Sequence, residues 1–168
     1  LFYYIILSFL NIEFLNAEKI EYSGNSIKIL EEGNIISGKG DIQIKIGKNI
    51  VINADQFEYN RNSNLYKITK QVYFKDNLNK INASSRRIIY SENLGLIEIL
   101  DNVSLKDNIN MIKATSSKVI YNKTLNLFEI INNVNIKDDL NNIEVYGDHF
   151  YFSKKNNKIY SETKTNII

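Results

Sequence analysis

The sequence predicts an all-β protein, and three observations carry that prediction. Isoleucine and asparagine dominate the 168 residues with 29 and 26 copies, whereas alanine occurs four times and proline is absent. Branched and aromatic side chains favour pleated strands, and scarce alanine disfavours long helices. The chain also repeats itself about every 31 residues, with apolar and polar residues alternating inside each copy. We therefore expect one domain built from β-hairpins.

The N-terminal segment differs in character from the rest of the chain. An apolar run extends from Leu1 to Leu10, and Leu15 and Ala17 stand three and one positions before Glu18. This pattern predicts a secretory signal peptide over residues 1–17 and a mature N-terminus at Glu18, which the intact mass of the exported protein would check. The alternative is an apolar first strand of the fold. With no cysteine in the chain, an exported domain would be stabilised without disulfides.

The repeat is defined by residue types that recur at the same position of successive copies. Alanine is rare, yet three of its four copies fall at matching places, Ala54, Ala83 and Ala114. Valine, aspartate, isoleucine and an aromatic residue recur 31 positions apart. These residues are Val72, Val103 and Val134; Asp76, Asp107 and Asp138; Ile81, Ile112 and Ile143; and Tyr90, Tyr121 and Phe152.

Each copy is predicted to form strands with one buried face. Apolar residues alternate strictly in "VYFKD", "VSLKD" and "VNIKD", and a second strand rises through "INA" or "IKA". Lysine occupies the opposite face of the first strand in every copy, at Lys75, Lys106 and Lys137. We expect about four short strand segments in each repeat. The residues predicted on the apolar face are Val72, Phe74, Ile81, Ala83, Val103, Leu105, Ile112, Ala114, Val134 and Ile136.

Two kinds of turn separate these strands. The recurring aspartates Asp76, Asp107 and Asp138 begin stretches rich in residues that bond their own backbone, so they are predicted to cap turns. Five positions after each of the aromatics Tyr59, Tyr90, Tyr121 and Phe152 stands asparagine or glycine, the residues that adopt left-handed backbone most readily. These positions are Asn64, Gly95, Asn126 and Asn157. The chain is therefore expected to be a ladder of antiparallel hairpins with open edges at both ends.

The sequence shows no pattern of residues for catalysis, metal binding or nucleic-acid binding. A formal net charge of +2 is too small to indicate a nucleic-acid partner. His149 is the single histidine, cysteine is absent, and the recurring aspartates belong to turns. One imidazole does not make a metal site. We predict no catalytic residues, no metal and no cofactor.

The repeated order of residues resembles a known family. The stretches "GDIQIKIGKNIVINADQFEYN", "QVYFKDNLNKINASSRRIIYSENLG", "NVSLKDNINMIKATSSKVIYNKTLN" and "NVNIKDDLNNIEVYGDHFYFSKKNN" cover about residues 33 to 160. They resemble the OstA-like (organic solvent tolerance) domain of lipopolysaccharide-transport proteins. The family's glycine and Ala-Asp pair are matched by Gly40 and by Ala54-Asp55. Lys70, Asp101 and Asn132 replace that glycine in later copies, and Ser84 and Thr115 replace the aspartate.

The resemblance implies a fold, a ligand and a set of partners. The fold would be a twisted antiparallel β-jellyroll over residues 18–168, open like a trough. Its apolar face, the ten residues named above, would hold the acyl chains of lipopolysaccharide. The domain would work in the periplasm of a Gram-negative bacterium, toward the outer membrane. Homologous jellyroll domains would pair with its edges, near Ile27 to Ile35 and near Lys158 to Glu162.

Other classes of protein could show the same repeat. A structural or adhesive β-solenoid would have a closed interior filled with side chains and no lipid path, so that the apolar stripe would be an ordinary core. A carbohydrate-active β-helix would need clustered carboxylates on one sheet face, and the sequence shows none outside the turns. Within the transport family, a separate periplasmic bridge protein and the N-terminal part of an outer-membrane assembly protein both fit the repeat.

Overall fold

The structure, a computed structural model, describes residues 18–167. The predicted signal peptide lies outside the described residues. Apart from one 3₁₀ turn (Glu31–Gly33), the regular structure of residues 18–167 consists of strands, and no helix there is long and apolar enough to cross a membrane. The strands are β1 (Ile20–Ser23), β2 (Ser26–Leu30), β3 (Ile35–Ile46), β4 (Ile50–Asn60), β5 (Leu65–Asp76), β6 (Ile81–Ser91), β7 (Leu96–Asp107), β8 (Ile112–Asn122), β9 (Leu127–Asp138), β10 (Ile143–Ser153), β11 (Lys158–Tyr160) and β12 (Asn166–Ile167).

All twelve strands belong to one antiparallel sheet. Each strand from β3 to β10 pairs with its neighbours in the chain, as expected for a ladder of hairpins. The short strands β1 and β2 both pair with β3, and β11 and β12 both pair with β10. The sheet is therefore not closed, and it ends in a pair of short edge strands on each side.

Each long strand bends near its middle. The pairing register shifts there in every pair from β3 to β10, which is the signature of a bulge. In β5, β7 and β9 two consecutive residues at the bend have positive φ, beginning with Lys70 (φ 69°), Asp101 (φ 68°) and Asn132 (φ 63°). The prediction of four short segments per repeat is thus corrected, since these segments are the halves of two long bent strands.

The bends explain where the family's glycine stands. Gly40, the glycine of the first copy, has φ 74°, and Lys70, Asp101 and Asn132 occupy the same place in later copies. A left-handed conformation suits glycine and costs other residues roughly 1–2 kcal/mol. The later copies keep the bend although they have lost the residue that favours it.

The bends divide the sheet into two halves that face each other. The aromatic half-sheet comprises residues 35–39, 56–60, 65–69, 87–91, 96–100, 118–122, 127–131 and 149–153, with β2 and β11. The aliphatic half-sheet comprises residues 42–46, 50–54, 72–76, 81–85, 103–107, 112–116, 134–138 and 143–147, with β1 and β12. Phe74 of the aliphatic half meets Tyr121 of the aromatic half edge to face at 6.2 Å between ring centroids.

The buried core lies between these halves. Among residues 18–167, thirty buried apolar residues from both half-sheets belong to it, whereas the opposite faces carry the lysines Lys75, Lys106 and Lys137. A sheet without covering helices must bury its apolar face against itself. Folding at the bends achieves this, and the predicted fold class, a twisted antiparallel β-jellyroll of 31-residue hairpin repeats, is confirmed.

Candidate functional site

The ten residues predicted on the apolar face all lie on the inner face of the aliphatic half-sheet. Their exposed fractions range from 0% to 9%, so they form part of a packed core in this structure. Six residues of this face form a cross-strand row in which small and large side chains alternate. The row runs through Phe74, Ala83, Leu105, Ala114, Ile136 and Val145 in successive strands.

An aromatic row on the opposite wall completes the interior. Successive strands of the aromatic half-sheet place Tyr59, Tyr66, Tyr90, Ile97, Tyr121, Phe128 and Phe152 side by side. The rings of Tyr59 and Tyr66 stack at 4.2 Å, and those of Tyr121 and Phe128 at 4.1 Å. Sequence reasoning used Tyr59, Tyr90, Tyr121 and Phe152 only as markers of the repeat, and missed Tyr66 and Phe128. The alternating patterns "LYKIT" and "LFEII", which occupy equivalent positions two repeats apart, would have predicted that these two rings are buried.

The two half-sheets are joined along their turns by polar contacts, which we call the seam. In the first contact, Asn79 from the β5–β6 turn exchanges two hydrogen bonds with Asn126 from the β8–β9 turn, at 2.8 and 3.1 Å. The Tyr121 hydroxyl donates to the Asp76 carboxylate at 3.0 Å. Burial and the neighbouring Asp76 carboxylate raise the pKa of Tyr121, which keeps the hydroxyl protonated as a donor.

The second contact repeats the first, one repeat further along the chain. Asn110 and Asn157 exchange hydrogen bonds at 2.7 and 3.0 Å. Phe152 replaces the tyrosine and has no hydroxyl, and the Lys154 ammonium donates to Asp107 instead, at 2.7 Å. Asp107 and Lys154 are almost fully buried, with 0% and 6% of their side chains exposed. Burial opposes ionisation of Asp107, but hydrogen bonds from Lys154, from the Asn110 amide and from two backbone N–H groups lower its pKa overall.

At the N-terminal end of the seam, the carboxylate comes from Glu18, which precedes β1. Ile46 occupies the strand-end position that Asp76 and Asp107 hold in later copies, and Glu18 lies beside the adjacent Gly47. Glu18 forms an ion pair with Lys123, whose ammonium also lies 5.3 Å from the centroid of the Tyr90 ring. Burial lowers the pKa of Lys123. The seam therefore pairs a buried or half-buried cation with a carboxylate at two places.

The predicted roles of the turn residues are confirmed. Oδ1 of each recurring aspartate accepts from the backbone N–H groups two and three residues later, at 2.8 to 3.2 Å. Oδ2 accepts from the asparagine three residues later, at 2.6 or 2.7 Å. Asn64, Gly95, Asn126 and Asn157 all have positive φ, between 48° and 62°. The aspartates are therefore turn caps, and two of them also bind the opposing half-sheet.

The interior opens at its C-terminal end. A cavity of 360 Å³ lies there between the last strands, and apolar side chains line most of it, among them Ile136, Ile143, Val145, Phe150 and Ile159. Of the ten predicted residues, Ile136 alone lines this cavity. The remaining nine are buried in the core, where Phe74 contacts Tyr121 of the aromatic row.

His149 lies on the outer face and forms a pair with Glu129, with 2.7 Å between Nε2 and Oε1. Residues 18–167 contain no cluster of three or more histidine, cysteine or carboxylate side chains arranged to hold a metal ion. The described interior is therefore a packed apolar core that is joined along its turns by the polar contacts of the seam.

An antiparallel β-sheet that bends over an apolar interior and leaves its edges open defines a class of β-jellyroll repeat domain. The family model described as "LptA/(LptD N-terminal domain) LPS transport protein" matches residues 15–125, about two thirds of the chain. The chain belongs to this lipopolysaccharide-transport family, as the resemblance of its repeats indicated, and the family consists of transport proteins.

Comparisons with individual proteins add little to the family assignment. Among curated proteins no sequence matches the chain. One similar solved structure is LptH from Pseudomonas aeruginosa, described as the LptA homologous periplasmic component of the conserved lipopolysaccharide transport device. The two chains are 8% identical, with a TM-score of 0.36, and the match covers 90% of this chain and 94% of LptH.

Proposed function

We propose that this domain, residues 18–168, binds lipopolysaccharide by its acyl chains and carries it through the periplasm toward the outer membrane. The observation that supports the proposal best is the apolar interior, which continues through every repeat and opens into the C-terminal cavity. The identity of the lipid is taken from the family, which is described as transporting lipopolysaccharide. An acyl chain gains about 0.8 kcal/mol for each methylene that it buries against such a surface.

The packed interior sets a condition on this function. Because Phe74 packs against Tyr121 and Leu105 is buried in the same core, an acyl chain can reach them only if the two half-sheets separate. We infer that the chain first enters the C-terminal cavity beside Ile136 and then displaces the aromatic row while the seam opens. The bends are the hinge for that movement, since the two halves join only there within each strand.

Photo-crosslinking amino acids placed one at a time on the two faces test lipid binding. Probes at Phe74, Leu105 and Ile136 should capture lipopolysaccharide, whereas probes at Lys75, Lys106 and Lys137, on the opposite face of the same strands, should not. Leu105→Glu should block transport, because it places an unpaired charge in the apolar interior. Circular dichroism must first show that this variant folds.

A structural β-repeat protein without a lipid path is the second candidate. The packed middle of the interior favours it, since such a protein needs a filled core. Equal crosslinking from both faces, or none from the inner face, would select this candidate and reject the lipid conduit.

We further propose that homologous jellyroll domains add to the open edges and form a continuous path. β2 and β11 lie in the two stretches predicted as edges, and β1 and β12 are the corresponding edges of the aliphatic half-sheet. The stretch from Ile27 to Ile35 is not one strand, because β2 ends at Leu30 and the 3₁₀ turn follows. Edge strands offer unpaired backbone groups to a new strand. A proline at an outward-pointing N–H of β2 or β11 should weaken association without unfolding the domain.

A further inference from the structure

At the C-terminal end of the seam, the β9–β10 turn has the groups that form a seam contact, but no opposing turn among residues 18–167 binds them. Asp138 and Asn141 make the same internal hydrogen bonds as their counterparts in the two preceding turns, at 2.7 to 3.0 Å. In those turns, Asn79 and Asn110 each bind the asparagine 47 positions further along the chain. For Asn141 that position would be 188, beyond the 168 residues of this sequence. Among residues 18–167, no turn of the aromatic half-sheet binds Asp138 or Asn141.

The apolar core beside this turn is uncovered in the same way. The isoleucine that follows each turn is 0% exposed at Ile81 and 9% at Ile112, but 42% at Ile143. Ile143 lines the C-terminal cavity together with Asp138. The end therefore presents an apolar hollow next to a carboxylate and an amide, which is what a further hairpin of the aromatic half-sheet would cover.

The two internal contacts show what such a hairpin must carry. Each has asparagine at the last position of its four-residue turn, Asn126 or Asn157, and each delivers one donor to the aspartate. The donor is the Tyr121 hydroxyl in one case and Lys154, the first residue of the turn, in the other. Both turns have lysine at their first position and read Lys-x-x-Asn.

The chain's own N-terminal end lacks this pattern. Two turns of the aliphatic half-sheet each bind the aromatic-half turn three strands further along, since the β5–β6 turn binds the β8–β9 turn and the β7–β8 turn binds the β10–β11 turn. If a second copy added its β2 to β11, the turn three strands beyond β9–β10 would be its β2–β3 turn. That turn is Glu31-Glu32-Gly33-Asn34, with an exposed carboxylate where the internal turns have lysine.

We propose that the C-terminal end of this domain selects a homologous domain whose outermost turn reads basic-x-x-Asn, and that Glu31 rejects a second copy of this chain. The proposal rests on the edge pairing proposed above and adds the partner's chemistry. Asp138 would meet Glu31 in a dimer of identical copies, whereas a lysine or arginine there would complete the contact seen at Asp107 and Lys154. Like charges placed opposite each other suppress wrong partners.

Sedimentation velocity of the purified protein and its charge variants tests this selectivity. Glu31→Lys gives the second copy the missing basic residue, and we expect it to self-associate about tenfold more tightly than the parent, with the gain reduced by salt. Adding Asp138→Asn, which keeps a turn-capping side chain, should remove that gain. Glu58→Lys makes the same change in net charge on the exposed outer face, and it should associate like the parent.

Three results would overturn the selectivity. The parent could associate as tightly as Glu31→Lys, the gain could persist with Asp138→Asn, or Glu58→Lys could produce the same gain. Lipopolysaccharide crosslinking at Ile136 in the same proteins separates this failure from failure of the proposed function. If lipopolysaccharide crosslinks at Ile136 but the charge variants associate like the parent, only the proposed selectivity is wrong. If the parent does not crosslink, the proposed lipid conduit is wrong.

Discussion

Lys154→Met removes the cation from the most buried ion pair of the seam. Asp107 is fully buried and Lys154 nearly so, with 2.7 Å between the charged atoms. Removing one partner of a buried pair typically costs about 3–5 kcal/mol, because the other charge stays buried without compensation. Asp107 keeps three hydrogen bonds, from the Asn110 amide at 2.6 Å and from the N–H groups of Ile109 and Asn110 at 2.8 and 3.2 Å. We therefore expect a loss near the lower limit, about 3 kcal/mol in the free energy of unfolding.

The preceding repeat suggests how this loss can be repaired. Tyr121 holds the place of Phe152 one repeat earlier, and its hydroxyl serves Asp76 as the donor that Lys154 provides to Asp107. Phe152→Tyr in the Lys154→Met background should therefore recover about 1.5–3 kcal/mol, the value of a hydrogen bond to a charged group. Urea denaturation followed by circular dichroism measures both variants. Lys155→Met, at an exposed neighbour, should stay within about 0.5 kcal/mol of the parent.

Acid provides an independent check on the same pair. The folded-state pKa of Asp107 lies below its ordinary value of 3.8, so its contribution to stability is present above that value and is lost as the pH falls through the folded pKa. The deficit of Lys154→Met should therefore be full at neutral pH and shrink in acid, where Asp107 is neutral in both proteins. A deficit below 1 kcal/mol at neutral pH, or one that does not change in acid, would refute the reasoning.

Two further variants test the bends and the seam. Lys70→Gly should stabilise the domain by about 0.5–1 kcal/mol, because φ 69° strains lysine but not glycine. Lys67→Gly, inside the same strand, should destabilise it by a similar amount. Thermal unfolding would measure both variants, and a lower stability of Lys70→Gly than of the parent would contradict backbone strain at this bend. In the double variant Asn79→Cys/Asn126→Cys, a short bifunctional thiol reagent should bridge the two cysteines, hold the seam closed and abolish lipid capture by a probe at Leu105. Each single cysteine variant, treated with the same reagent, should still capture lipid, and the chain has no other cysteine to react. Lipid capture by the bridged protein would show that the half-sheets need not separate at this contact.

Local patterns in the sequence predicted the strands and turns well. The alternation in "VSLKD" determines which side chains are buried, and an aspartate followed three residues later by asparagine is enough to build the turn. The bends were not predicted, because Lys70 and Gln71 do not favour positive φ and adopt it only under the constraint of the paired strands on both sides. Because the bends were not predicted, the two halves of each long strand were predicted as separate short strands.

The candidate site was predicted only in part. The aliphatic wall follows from alternation, but the wall that covers it comes from residues about one and a half repeats away, as the contact between Phe74 and Tyr121 shows. The same spacing separates Lys154 from Asp107, and nothing in the neighbourhood of either residue indicates the other. A period detected along the chain specifies equivalent positions, whereas contacts between the half-sheets also depend on the twist, which only the folded chain reveals.

The regular offset of the seam makes the length of this domain adjustable in fixed steps. Each repeat contributes two strands, and neighbouring strands lie about 4.8 Å apart, so one added repeat lengthens the trough by roughly 10 Å. A duplicate of residues 112–142 inserted after Asn142 would move Lys154 and Asn157 to 185 and 188, 47 positions from Asp138 and Asn141. Every contact of the seam would be reproduced without altering another residue. Copying one module in the gene would thus change the length of the folded domain by a fixed step.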